Sequence, residues 1–313
     1  MQVLFSAILA ALWISATAGA SNSHITSCKD QPDTRLAALT VRALTPDRKA
    51  MEGLAPGDFV LKNRLAAFPV CGFTHARQPA SVGVLLDTSD SMRGNHSNLF
   101  GIGQAAIDSL LKGSGPDDEY FLEYVNSLPA MKCIFSRDLE RIRAGVRVRP
   151  KGRTALFDAV YLALQAMDKA SHANRSLVVV SDGLENQSKR GFKELKKAFA
   201  VSTVPLFLIV PDERWHRARR DVDVREWAER TDVMWLAHQS GGYSVRVLTD
   251  ESAASAAAEL GNVIRSPYYL NFAVPAAPED SKDLRALYLE VKGAGPKPML
   301  FYKALFPATK AEK

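Results

Sequence analysis

A doubly wound, mostly parallel α/β sheet flanked by a small β unit is the fold class this sequence predicts, and three observations predict it. Continuous apolar runs at Val82–Leu86, Leu177–Val180 and Val204–Val210 have the texture of strands buried on both faces of a parallel sheet. Helical patterns lie between them: "TALFDAVYLALQAMDKA" carries Leu156, Val160, Ala163, Leu164 and Met167 on one stripe, and "ESAASAAAELGNVIRS" is rich in helix formers. The segments before and after alternate short apolar runs with Pro, Gly and Asp turns, the pattern of antiparallel strands. Strands alternating with helices make the central part an α/β domain.

Taken in order, the chain opens on "MQVLFSAILAALWISATAGA", an apolar centre from Val3 to Ile14 followed by small residues ending Ala18-Gly19-Ala20. This fits a secretory signal peptide over 1–20, cleaved after Ala20, and predicts a secreted or periplasmic protein. Residues 21–79 form an N-terminal β-rich segment. The α/β domain runs over 80–266, with Phe121–Val125 and Cys133–Phe135 as weaker strand candidates. Residues 267–313 return to strand-like runs in "YYLNFAVP", "LRALYLEVKG" and "KPMLFYKALFP", expected to pack outside the α/β core against the N-terminal unit.

The 313 residues, 47% hydrophobic and 24% charged, suffice for one substantial core with a satellite. The net charge of +6 is concentrated in Arg137–Arg153, in "KRGFKELKK" from Lys189 and in "RWHRARR" from Arg214, which read as solvated surface. No nucleic-acid-binding module accompanies the charge, so nucleic acid is not an expected partner. No stretch after the signal is long enough to span a bilayer. Of the three cysteines, Cys28 and Cys71 could pair in an oxidising compartment, but the odd count with Cys133 leaves the connectivity open. No C-x-x-C pair points to a zinc site.

Three segments place oxygen-bearing side chains where an apolar strand ends or a helix begins. They are Asp87-Thr88-Ser89-Asp90-Ser91 after "VGVLL", Thr154 in "KGRTALFDAV", and Asp182 in "LVVVSDGLENQS". In an open α/β sheet the carboxyl ends of the strands form the ligand-binding edge, where loops distant in sequence converge. A hard divalent cation such as Mg²⁺ takes about six oxygen ligands. Asp87, Ser89, Ser91, Thr154 and Asp182 supply such a set, with the 87, 89, 91 alternation letting side chains of one turning loop face one point. Taken singly, Ser89, Ser91 and Thr154 read better as helix caps than as ligands, and Asp182-Gly183 is also an ordinary turn signal.

These residues resemble the von Willebrand factor A domains, whose metal-ion-dependent adhesion site has the pattern D-x-S-x-S, a Thr from a second loop and an Asp from a third. All five positions match. "LTVRALTPDRKAMEGLAPGDFVLKN" and "SGGYSVRVLTDESAASAAAELGNVIRSPYYLNFAVP" extend the likeness to the bacterial von Willebrand factor A-related proteins common in acidobacteria. Asp90 departs from the usual Gly, while Glu185 and Asn186 stand at positions often acidic and typically Asn.

The resemblance implies a non-enzymatic, metal-dependent adhesion module. Mg²⁺, with Mn²⁺ or Ca²⁺ possible, bridges there to an acidic residue of a protein partner, which the basic loop from Arg214 to Arg220 would help to steer. Two other readings compete. In one, Asp87 is the nucleophile of a Mg²⁺-dependent phosphohydrolase, although position 89 is Ser where D-x-D is expected and no acidic pair follows a later strand. In the other, the metal site is vestigial and the module structural. The histidines His75, His96, His172, His216 and His238 lie in no nucleophile motif and read as surface or loop residues.

Overall fold

The computed structural model describes residues 34–62, 66–94, 98–212, 224–275, 288–293 and 297–303. The expected signal segment, Cys28 and the Arg214–Arg220 loop lie outside the described residues. Among those described, no helix is long and apolar enough to cross a membrane.

Three strands come first: β1 (Thr34–Leu44), β2 (Phe59–Lys62) and β3 (Ala67–His75). The α/β part follows as β4 (Ser81–Asp87), α1 (Leu99–Lys112), β5 (Glu119–Val125), β6 (Ala130–Ser136), α2 (Leu139–Val146), α3 (Leu156–Ala166), β7 (Arg175–Val180), α4 (Phe192–Val201), β8 (Leu206–Pro211), α5 (Val224–Gln239), β9 (Ser244–Val247) and α6 (Asp250–Arg265). The chain returns to strands in β10 (Tyr268–Pro275), β11 (Tyr288–Val291) and β12 (Met299–Tyr302).

The central sheet has the order β6-β5-β4-β7-β8-β9, all parallel except the edge strand β6. Counted along this domain, the order is 3-2-1-4-5-6, so the winding reverses between β4 and β7. Every residue of β4 is buried, because both faces of the strand are covered. Val82, Val84 and Leu86 face the layer of α1 and α6, and Leu85 faces that of α3, α4 and α5. Gly83 is required by close approach: a β-carbon there would sit 2.2 Å from Phe121 Cζ and 2.6 Å from Leu177 Cδ2. The last residue of α6 and the residue preceding β5 meet in a buried ion pair, Arg265 Nη1 to Asp118 Oδ2 at 3.1 Å. Asp118 Oδ1 also accepts from the Ala80 N–H at 2.8 Å, which fixes the entry into β4.

The N- and C-terminal strands form one antiparallel sheet, β11-β2-β3-β10-β1-β12, around Val41, Phe59, Leu61, Tyr268, Leu270 and Phe272. Its two edge strands approach each other, since the Leu289 N–H donates to the Tyr302 hydroxyl at 2.8 Å. His75, read from sequence as a surface or loop residue, is a strand residue stacked on Tyr268 with ring centroids 3.8 Å apart. The second sheet seats on the first through Leu44, Met299 and Phe301, which join the α1/α6 core layer. Lys303 Nζ donates to the C-terminal carbonyls of α4 at Phe199 (2.6 Å) and Ala200 (3.1 Å), and to that of Ser202. Burial lowers its pKa to about 8. Cys71 is disulfide-bonded and Cys133 is a free, buried thiol.

Candidate metal centre

The winding reverses between β4 and β7, the place in an open α/β sheet where the carboxyl ends of the strands form the ligand-binding edge, and the candidate residues gather at the carboxyl ends of these two strands. Asp87 is the last residue of β4 and is completely buried. Its Oδ1 accepts from the Ser89 N–H at 2.9 Å, and its Oδ2 from the Ser181 hydroxyl at 2.5 Å. Asp182, two residues past β7, is equally buried, and its Oδ1 accepts from the Leu184 N–H at 3.1 Å. The chain between Ser89 and Gly94 winds into a short 3₁₀ turn, which brings Ser89 Oγ and Ser91 Oγ to 3.0 Å from each other. Thr154 is 1% exposed and precedes α3.

Three loops meet at this point because they are tied to one another, not merely adjacent. The first and second are joined by a reciprocal pair: the Asp90 N–H donates to the Gly152 carbonyl and the Gly152 N–H to Asp90 Oδ2, each at 2.9 Å. The Lys151 N–H also donates to the Thr88 carbonyl at 2.7 Å, and Arg93 reaches the Pro150 carbonyl. The second and third are joined by Asn186, whose Oδ1 accepts from the Thr154 N–H and whose own N–H donates to the Thr154 carbonyl, both at 3.0 Å. Glu185 continues this tie, accepting from the Phe157 N–H at 2.9 Å and so capping the first turn of α3. Ser181 closes the triangle by its bond to Asp87.

All five sequence-predicted residues therefore line one region. Ser181, the Asp90–Gly152 clamp and the capping role of Glu185 are what sequence reasoning missed. Ser181 carried a readable signal: a hydroxyl directly after a strand of five buried residues needs a partner. Asp90 is not free to act on a partner with its whole charge, because one oxygen holds Gly152 and the other pairs with Arg93 at 3.3 Å.

The electrostatics fit a cation. Burial first, and then the neighbouring Asp182 charge, push the Asp87 carboxyl up to about 7 despite its hydrogen bonds. Among the described residues no Lys, Arg or His forms an ion pair with Asp87. Two buried carboxylates at one strand edge, with hydroxyls beside them and no basic side chain on Asp87, are an oxygen donor set of the kind hard divalent ions select. Among the described residues there is no cluster of three or more His, Cys, Asp or Glu side chains; the set here is two carboxylates completed by hydroxyls.

Residues 82–185 match the profile of the family described as von Willebrand factor type A domain. No curated protein matches the sequence. Among solved structures, a von Willebrand factor type A protein from Catenulispora acidiphila superposes with a TM-score of 0.50 at 12% identity, over 89% of this chain and 76% of that one. BatB from Bacteroides thetaiotaomicron aligns at 18% identity with a TM-score of 0.46, over 59% of this chain and 98% of its own. The vWF domain of the type V pili tip protein Mfa5 from Porphyromonas gingivalis aligns at 12% identity with a TM-score of 0.45, over 60% and 96%. The first of these likenesses extends beyond the α/β domain and supports the fold as described.

Proposed function

Because residues 82–185 carry the von Willebrand factor type A domain, we propose that this chain is an exported, non-catalytic binding module whose cation site engages an acidic residue of a protein partner. Asp87, Ser89, Ser91, Thr154 and Asp182 are the residues that would hold the ion. Mg²⁺, or Mn²⁺ or Ca²⁺ in its place, would supply there a hard positive charge with a coordination position open to an outside carboxylate. The observation that carries the reading is the mutual anchoring of the three loops around two buried carboxylates.

Each residue then has a definable part. Asp87 and Asp182 provide the negative charge; Ser89, Ser91 and Thr154 provide neutral oxygens that leave the ion electron-poor and receptive to a further carboxylate. Asn186, Ser181 and Asp90 hold these oxygens in place before any ion or partner arrives, so little ordering is left to be done on binding.

Calorimetric titration of Mg²⁺ and Mn²⁺ into the wild type and Asp87→Ala tests the site. Saturable binding by the wild type, lost in a variant that keeps its far-ultraviolet circular dichroism, is the expected result; equal affinity in the two proteins refutes the assignment. Capture of partners from the native periplasm or medium, with Mg²⁺ and with EDTA in parallel, tests the bridging role. A partner captured equally in both arms removes it.

A further inference from the structure

Far from the metal edge, a cavity of about 630 Å³ opens where β1 and β12 of the antiparallel sheet meet β9 and α5 of the α/β domain. Leu44, Met234, His238, Tyr243 and Phe301 make most of its wall apolar or aromatic, and Arg48 lies at its side. Tyr243 and Phe301 form a continuous ring surface, their centroids 4.9 Å apart. Among the described residues no Asp or Glu lines the cavity.

Two arginines are relevant: Arg48, which lines the cavity together with Arg246, and Arg42, which does not line it but lies two residues before the lining Leu44 on β1. Arg48 closes a tight turn in which its N–H donates to the Thr45 carbonyl at 2.8 Å, with Leu44 bridged to Ala50 beyond it. Its φ is 67°, and among the described residues no other non-glycine side chain has a positive φ. A turn of this kind ordinarily takes Gly or Asn at the left-handed position, so arginine is strained there. Arg48 is exposed, and its guanidinium lies at the cavity, where Nη1 donates to the Ser244 carbonyl at a long 3.4 Å.

Arg42, on the same face of β1 as Leu44, is 3% exposed, and its Nε has no hydrogen-bond partner. Its guanidinium lies 5.5 Å from the Phe207 ring, which in turn contacts Tyr243 edge-on at 5.2 Å. No ion pair among the described residues involves Arg42. A buried cation without a counter-charge is costly to a fold. Burial lowers the Arg42 pKa only to about 10, so the charge stays, and burial together with the Arg48 charge lowers that of His238.

We propose that this cavity binds a small aromatic carboxylate, with its carboxylate at Arg48 and its ring against Tyr243 and Phe301. The volume suits a ligand of that size, the guanidinium matches a carboxylate in bidentate geometry, and the aromatic wall selects a flat apolar body over a polyanion. The proposal is independent of the metal site.

The probe is 2-naphthoate, titrated calorimetrically into the full chain in EDTA so that no divalent ion can recruit its carboxylate. The neutral 2-acetylnaphthalene serves as control. We expect one-to-one binding of the acid at least tenfold tighter than that of the ketone. Arg48→Gly, which relieves the strained turn, is expected to lose at least tenfold in affinity while its melting temperature stays equal or rises. Absence of binding, equal affinity for acid and ketone, or undiminished affinity in Arg48→Gly overturns the proposal. So does a marked fall in melting temperature in both Arg48→Gly and Arg48→Asn, which assigns Arg48 to the fold instead.

Discussion

Glu123 of β5 sits in an apolar layer without a partner, and this makes the stability of the protein depend on pH in a calculable way. It lies opposite Leu85 of β4 and Met131 of β6, on the face that Phe121 and Val125 share with Leu156 and Val160 of α3. The residue is 1% exposed, and neither carboxyl oxygen has a hydrogen-bond partner. Burial alone pushes its pKa from 4.5 up to about 8. The folded state therefore keeps a proton that the unfolded chain releases above pH 4.5. The associated stability is complete below that pH and is lost as pH rises through 8, at ~1.4 kcal/mol per pH unit in between. Between pH 5 and pH 8 the loss amounts to about 3–4 kcal/mol, a large part of the 5–15 kcal/mol typical of a domain. Glu123→Met keeps the length of the side chain and removes the titration. Urea unfolding followed by tryptophan fluorescence, at pH 5 and pH 8 with EDTA in both, should show the variant gaining about that much over the wild type at the higher pH. Other titrating groups, Asp87 included, cancel in the comparison because both proteins carry them. A stability gap between the two proteins that does not change with pH would show that Glu123 is solvated or paired, and the reasoning would fail.

Three further outcomes are expected. Ser181→Ala removes the hydroxyl that fixes Asp87 and should weaken Mg²⁺ binding by about 10–100-fold, read by the same titration as Asp87→Ala; unchanged affinity would show that Asp87 is held without it. Asp90→Gly should leave the chain folded, because the side chain it removes is 59% exposed, yet reduce ion affinity by loosening the Gly152 end of the Thr154 loop. Asp90→Asn keeps an acceptor for the Gly152 N–H and should recover most of the loss; an asparagine variant no better than the glycine one would show that the charge of Asp90 is what matters. Peptide mapping of the exported protein without reduction should show an N-terminus at Ser21 and a Cys28–Cys71 linked pair; free thiols at both cysteines would remove the bridge.

What was legible in the sequence is what local pattern determines. The both-faces-buried strands β4, β7 and β8 announce themselves as unbroken apolar runs, because a parallel strand between two helical layers has no polar side to show. Polar oxygen at the ends of such runs is equally visible, since it breaks a pattern that burial enforces. That is why Asp87 and Asp182 could be placed on one edge from a sequence in which 94 residues separate Asp87 from Ser181. The clamps were not legible, since whether Asn186 meets Thr154 or Asp90 meets Gly152 depends on how three loops approach, and Asn and Asp in loops are commonplace. The reversal of β6 was hidden for a related reason: its run is interrupted by exposed positions, and register shifts beside Leu122 displace its alternation.

Arg48 and Glu123 mark a different limit. By local rules each is unremarkable, an arginine in a polar turn and a glutamate in a strand of alternating character, and only the tertiary surroundings make one strained and the other unpartnered. A residue whose local preference agrees with its conformation tells little about selection beyond the fold, whereas one that opposes its backbone or its burial must be supported by neighbours that over-determine it. The two carboxylates of the metal edge, the strained Arg48 and the buried Arg42 all belong to this second class. Among the described residues no ion pair engages Asp87 or Arg42, and a cation at the first and an anion beside the second are what the two proposals would supply. The same physical demand, a buried charge to be met from outside the chain, is the argument that the two proposals share.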